Sequence, residues 1–294
     1  MSQVQSGKSF EYAIAYQLQK ITQATLVENK HLVTARKYYV TYDSVEQNKA
    51  MNAAQKIVGF LTRVDKRLKQ KPCVLRLQSD QAGKLGDVRD IVIETPMGEI
   101  GISAKNRHFG VKNPRLSKNI DFGRKWIGHP VSQTYWDTVM PIFSKMQNRR
   151  ENGQLWRNIH DKEDKFYVPL LHAFNIELQR IYDNDKDNTP KNLLHYLLGQ
   201  HDFYKTAKDN GTAIVQSFNI NGSLLWGKKL PLPTIIENRR NTTKTTTLYS
   251  FDKGWQISFR IHNAESKVTP SLKFDIQLTG LPHRLSRHEI NYLF

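Results

Sequence analysis

Residues 87–105, DVRDIVIETPMGEIGISAK, constrain this chain more than any other stretch, because two short apolar runs flank a turn there. Ile91, Val92 and Ile93 lie before Thr95-Pro96-Met97-Gly98, and Ile100, Ile102 and Ala104 lie after it. Runs this short, broken by Pro and Gly, predict two strands of a β-hairpin rather than a helix. Side chains alternate across a strand, so Glu99, Gly101, Ser103 and Lys105 share one side of the second strand. Asp90 stands near the start of the first strand and Lys105 at the end of the second. Antiparallel pairing therefore brings a carboxylate and an ammonium to the same end of the sheet. Phosphodiester cleavage needs such a pair. A hard divalent cation held by carboxylate oxygens polarises the scissile phosphate and acidifies water, and a lysine beside it orients that water and offsets developing charge.

Charge points to the same chemistry. Lys and Arg number 44 against 27 Asp and Glu, a net of +17, and such an excess is commonly neutralised by a polyanion. It is concentrated locally: Lys105, Arg107, Lys112, Arg115, Lys118, Arg124 and Lys125 are accompanied between 105 and 125 by the single acid Asp121. A phosphate track is expected there. One cysteine, Cys73, precludes an internal disulfide and argues against a cysteine-based zinc site. No run reaches the roughly 20 apolar residues of a membrane span, and the opening MSQVQSGKSFEYAIAYQL lacks the pattern of a secretory signal. A cytoplasmic protein is expected.

Elsewhere the periodicity alternates between helix and strand. Phe10, Ala13, Ile14, Gln17, Leu18 and Ile21 predict an amphipathic helix from Ser9, and Met51, Ala54, Ile57, Val58, Leu61, Val64 and Leu68 predict a second over 45–69. Residues 131–212 read as helical, with Val168, Leu171, Phe174, Leu178 and Ile181 on one face and Thr189-Pro190 opening a Leu-rich helix. From 213 the pattern turns to β. Asn221-Gly222 predicts a hairpin turn. Trp255, Ile257, Phe259 and Ile261 alternate with Gln256, Ser258, Arg260 and His262, and SLKFDIQLT repeats the alternation through Leu272, Phe274, Ile276 and Leu278. Trp226 and Trp255 are expected in the core.

The Asp90 and Ser103-Ala104-Lys105 hairpin, preceded by a helix carrying Gly7 and Glu11, resembles the PD-(D/E)xK nuclease superfamily. Within it, EIGISAKNRHFGVKNPRLSKNIDFGRKW and FRIHNAESKVTPSLKFDIQLTGLP resemble the HaeIII-type restriction endonucleases, and the likeness touches most of the chain. It implies an α/β fold: a restriction-endonuclease-like core with a mixed central sheet flanked by helices over 1–130, a helical segment over 131–212, and a β-rich DNA-recognition lobe over 213–294. It implies Mg²⁺-dependent cleavage of double-stranded DNA by a type II enzyme at a short palindromic GC-rich site, GGCC being usual for the group. Asp90 would hold metal, Lys105 would be catalytic, and the Ala104 carbonyl would add a metal oxygen. The middle motif position, ordinarily Asp or Glu, is Ser103, so a second acid must be recruited. Glu11 is the first candidate, Glu99 the second and Asp87 the third.

DNA contacts are expected from Asn106, His108, Lys112, Arg115 and Lys118 as phosphate positioners, His108 also being a candidate base. Base-edge contacts are expected from Arg260, His262, Asn263 and Lys273, with Arg239 and Arg240 as alternates. The expected partners are double-stranded DNA and a methyltransferase acting on the same site, with monomer and homodimer both open. Two other classes stay in view: a DNA-binding protein that does not cut, built on a nuclease fold, and a nuclease selective for junctions or repair intermediates.

Overall fold

The hairpin forms in the expected register. Ile91–Thr95 (β3) and Gly98–Asn106 (β4) pair antiparallel with Ile91 opposite Ile102 and Thr95 opposite Gly98. Gly98, at φ +105°, closes the turn in a conformation that side chains rarely adopt. The structure, a computed structural model, describes residues 3–79, 86–106, 110 and 112–293. It divides into two units: residues 1–109, 199–231 and 283–294 form the first, and 110–198 and 232–282 the second.

In the first unit the hairpin lies inside a seven-stranded mixed sheet. Its other strands are Thr25–Leu26 (β1), Val74–Leu77 (β2), Phe203–Asp209 (β6), Thr212–Phe218 (β7) and Arg287–Asn291 (β12), in the order β1-β2-β3-β4-β6-β7-β12. Helices Gln3–Thr22 (α1), Lys30–Val40 (α2) and Ser44–Val64 (α3) supply the opposing apolar surface. Phe10, Ala13, Ile14 and Leu18 of α1, Leu32 of α2 and Ile57, Val58 and Leu61 of α3 are buried in one cluster with Ile91, Ile93, Ile100, Ile102 and Val215. Of the predicted stripe on α1, only Ile21 is exposed. The second predicted helix stops at Val64, and Lys66–Lys69 is a separate short turn. Asp65, fully buried, ends α3 by accepting from Arg67 and from the Tyr204 hydroxyl at 2.6–2.9 Å.

The expected boundaries at 130 and 212 are not where the chain divides. β6 lies inside the stretch read as helical, and nearly all of β7 inside the stretch read as a recognition lobe, yet both belong to the seven-stranded sheet of the first unit. The reason is the parallel pairing of β4 with β6, Ser103 opposite Lys205, since parallel neighbours require a long crossover. Here the crossover carries the first part of the second unit. Asn221-Gly222 also departs from expectation, lying in an irregular stretch after β7 rather than between two strands. Asp202 holds that stretch by accepting from the Asn221 and Ser223 backbone amides, both at 2.7 Å.

The second unit has a five-stranded antiparallel sheet. Arg115–Ser117 (β5), Ile236–Thr243 (β8), Thr246–Phe251 (β9), Gln256–His262 (β10) and Ser271–Gly280 (β11) lie in the order β5-β11-β10-β9-β8. Helices Gln133–Glu151 (α4), Val168–Asn184 (α5) and Thr189–Leu198 (α6) complete it. The alternation in β10 and β11 is as predicted: Trp255, Ile257, Phe259, Leu272, Phe274 and Ile276 are fully buried, and the polar residues between them are not. Phe174 of α5 is the hub, with ring centroids 4.9 Å from Phe274, 5.0 Å from Phe122 and 5.6 Å from Phe259. No helix among the described residues is long and apolar enough to cross a membrane. Phe174→Ala removes the hub, and chemical denaturation followed by fluorescence should report a loss of about 3–5 kcal/mol, as for other buried Phe→Ala changes.

Candidate active site

Asp90 sits just before β3, where the ladder to β4 is about to end. Its backbone N–H donates to the Ile102 carbonyl at 2.8 Å, which fixes its height along the hairpin. Its side chain turns toward β4, where one oxygen, Oδ2, accepts from three consecutive residues: the Ser103 hydroxyl at 3.1 Å, the Ala104 amide at 2.7 Å and the Lys105 ammonium at 3.2 Å. The expected pair is thus in contact. Oδ1 takes no hydrogen bond among the described residues.

Glu11 reaches this cluster from α1. It is 5 % exposed, and the Lys8 ammonium donates to its Oε2 at 3.0 Å. Burial pushes its carboxyl up to about 8, the Asp90 charge adds to the rise, and Lys8 and Lys105 oppose it. Two carboxylates that repel each other in a desolvated site are a donor set suited to a divalent cation. At Gly7, one turn earlier, an added Cβ would meet no atom within 4 Å. Asn106, expected on DNA, instead donates from its amide to Ser6 Oγ and so ties the end of β4 to the start of α1. Its Oδ1 is buried and has no partner among the described residues.

Glu99 and Asp87 are not brought to Asp90. Glu99 pairs with Glu94 at the turn end of the hairpin, four positions along β4 from Ser103, and its carboxylate binds Arg89 at 2.8 Å. Arg89 crosses Gly101 to reach it, and a Cβ on Gly101 would lie 2.0 Å from the Arg89 Cδ. Asp87 holds the other side of the same guanidinium, accepting from Nε and a terminal nitrogen at 2.8 and 2.7 Å. Burial would raise Asp87, but hydrogen bonds from Arg89 and Gln78 outweigh it and lower it below its ordinary value. Both acids serve Arg89. No group of three or more His, Cys, Asp or Glu side chains suited to a metal occurs among the described residues, and Asp90 and Glu11 are the two acids whose charges interact here.

Sequence reading missed Lys205. It lies opposite Ser103 across the parallel β4–β6 pair, is 4 % exposed, and is pushed down to about 8 by burial and then by the Lys105 charge. Only the parallel register puts it there, and nothing local in FYKTAKD signals it.

The polar face of the second sheet gathers several of the expected DNA contacts. Arg115, Lys273 and His262 lie in one row across β5, β11 and β10, and Arg260 stands two residues along β10. Burial and then the Arg115 charge lower Lys273, with Asp275 opposing. Arg240 opposes Leu248, on this side of β8, whereas Arg239 opposes the core residue Tyr249. Two other expected DNA contacts are engaged within the chain. The Lys112 ammonium donates to the Tyr196 carbonyl at 3.0 Å and lies 3.7 Å from that ring's centroid, and burial and then the Lys125 charge push it down to about 8. The Asn263 amide is occupied, accepting from the Tyr167 hydroxyl and donating to the Glu265 carbonyl, both at 2.8 Å. Lys118 is exposed, and His108 lies outside the described residues. Trp255 is fully buried, and Trp226 packs edge-on to Phe60 at 5.0 Å.

A family model described as the HaeIII restriction endonuclease matches residues 7–282. The chain belongs to the HaeIII restriction endonuclease family. The type II restriction enzyme HaeIII of Haemophilus aegyptius is 38 % identical over 302 aligned positions, covering 94 % of each chain. No solved structure matches. As a member of the HaeIII family the chain is a restriction endonuclease, a site-specific deoxyribonuclease, and its substrate is double-stranded DNA.

Glu11 gives this cluster a pH signature. Its folded carboxyl holds a proton up to about 8 while the unfolded chain releases it near 4.5, so its contribution to stability is complete below about 4.5 and is lost as pH rises through about 8. Melting temperatures in chelator should therefore fall from about pH 5 to about pH 8 more steeply for the native chain than for Glu11→Gln. Parallel curves would separate Glu11 from the titration.

Proposed function

We propose that this enzyme is a type II restriction endonuclease hydrolysing both strands of DNA at a short palindromic, GC-rich site of the GGCC kind, with Mg²⁺ as cofactor. The observation that carries the proposal is the convergence of Ser103, Ala104 and Lys105 on one oxygen of Asp90, beside the buried carboxyl of Glu11. Asp90 Oδ1 and Glu11 would hold the cation. Ala104 would add its carbonyl, since a residue's N–H and C=O point to the same edge of an extended strand and its N–H meets Asp90. Bound there, the metal supplies positive charge that polarises the scissile phosphate and makes water more acidic. Ser103 contributes a hydroxyl that orients Asp90, and Glu11, whose proton a bound cation would displace, would supply the second negative charge that Ser103 lacks.

Lys105 is the general electrophile of this reading. Its ammonium, held by Asp90, sits where it can orient the attacking water and balance charge growing on phosphorus. Lys105→Ala should reduce cleavage of unmethylated phage DNA at least about 10²-fold, the scale of losing one charge-stabilising donor, while gel-shift affinity stays close to native. Discrete fragments from the native protein support a sequence-specific cutter. Tight binding without cutting in Mg²⁺ or Mn²⁺ would favour the non-cleaving alternative, and cleavage confined to branched DNA the junction nuclease.

Base reading is assigned to the polar face of the second sheet. Arg260 offers paired donors suited to guanine O6 and N7. His262 donates from Nδ1 to the Asn263 carbonyl at 2.8 Å, so its Nε2, when the ring is neutral, is left as an acceptor suited to a cytosine amino group. Lys273 and Arg115 in the same row suit guanine or a phosphate. A methyltransferase modifying the same site would be the cellular partner, in the cytoplasm. Arg260→Ala should narrow the preference for the cognate site over single-base variants by about 1–3 kcal/mol at one base pair. Competition binding against each variant duplex measures this, and an unchanged preference would remove Arg260 from base reading.

A further inference from the structure

At the end of β10, beyond His262, the second unit has an open pocket of about 350 Å³ lined by Leu155, Trp156, Arg157, Lys162, Asn263 and Ser266. Its two walls are stapled together. Trp156 N–H donates to the Ser266 carbonyl and Val268 N–H to the Gln154 carbonyl, both at 3.0 Å, and Leu155 bridges Lys267. The Asn263 side chain is locked between Tyr167 and the Glu265 carbonyl, which shapes the rim. The pocket is therefore preformed and needs no ordering to accept a ligand.

The charge inside it is one-sided. Two cations and no carboxylate line the pocket. Of the neighbouring acids, Asp161 pairs with Lys165 at 2.5 Å, Asp164 with Lys244 at 3.3 Å and Glu265 with Arg115 at 3.8 Å, whereas Arg157 and Lys162 have no acidic partner among the described residues. Arg157 offers a planar fork suited to two anionic oxygens, and Lys162 a point charge. Ser266 could add a hydroxyl. With Trp156 buried to 2 % exposure, the floor offers no ring face on which a base could stack.

We propose that this pocket binds one backbone phosphate of DNA flanking the recognition site, as a sequence-independent anchor beyond the end of the strand that carries His262. The anchor rests on the reading of that sheet as a DNA face. It contributes affinity and register, and no catalytic group.

The test is the salt dependence of binding, in chelator, to a duplex holding the cognate site and to an unrelated duplex. For Arg157→Ala/Lys162→Ala the slope of log Kd on log salt should fall by about 0.9, the value for one phosphate neutralised on duplex DNA. The loss of affinity should be the same factor on both duplexes, and single-turnover cutting at saturating enzyme should be unchanged. Arg157→Lys should restore part of the slope. Should the double variant lose its native melting temperature, Arg157→Gln alone, at an exposed position, carries the same comparison. An unchanged slope would overturn the anchor, and so would a loss confined to the cognate duplex, which would mean base reading. If the slope falls while Arg260→Ala leaves sequence preference untouched, the pocket stands and the base-reading assignment fails.

Discussion

The geometry of the candidate site depends on one carboxylate oxygen. Asp90 Oδ2 gathers donors from three successive residues of β4, and this is possible only because β3 begins at the next residue. At that height Asp90 fills with its side chain a place the ladder would otherwise give to backbone. The arrangement is thereby tied to strand register. A slip of one residue would turn Ser103 and Lys105 to the opposite face and bury Ile102 and Ala104 on the wrong one, so the apolar core that fixes the hairpin also fixes the chemistry.

Ser103 is better understood in this setting. Its hydroxyl donates to Asp90, whereas a carboxylate at the same position would add a negative charge within about 3 Å of another. Moving the second acid to α1 separates the two carboxyls onto different elements, with Lys8, Lys105 and the buried Lys205 around them. The cluster thus keeps both signs of charge close together, and the Asp90 charge helps raise Glu11 while the Lys105 charge helps lower Lys205.

Much of this was legible in the sequence because the signals are local. The hairpin and the alternating strands β10 and β11 each bury one clean face, and period-two patterning reports that directly. The strand β6 was not legible, because FYKTAKD is buried on both sides although it contains Lys205, Thr206 and Lys208. Those polar groups are accommodated by tertiary neighbours that sequence spacing does not reveal. The same blindness hid where the chain divides into units, and the contacts of Lys112 with Tyr196 in α6 and of Asn263 with the Tyr167 hydroxyl. Glu99 lay on the expected side of its strand but at the far end of it, a distance that face-counting alone does not weigh.

The connection between β4 and β6 has a consequence for how the two units can be separated. The chain passes between the two units four times, after residues 109, 198, 231 and 282. Neither unit is a contiguous stretch, so no single cut in the backbone, by protease or by gene fusion, can free one from the other. Residues that act together in either unit are therefore drawn from separate stretches of the chain, and exchanging one terminal segment replaces neither unit as a whole.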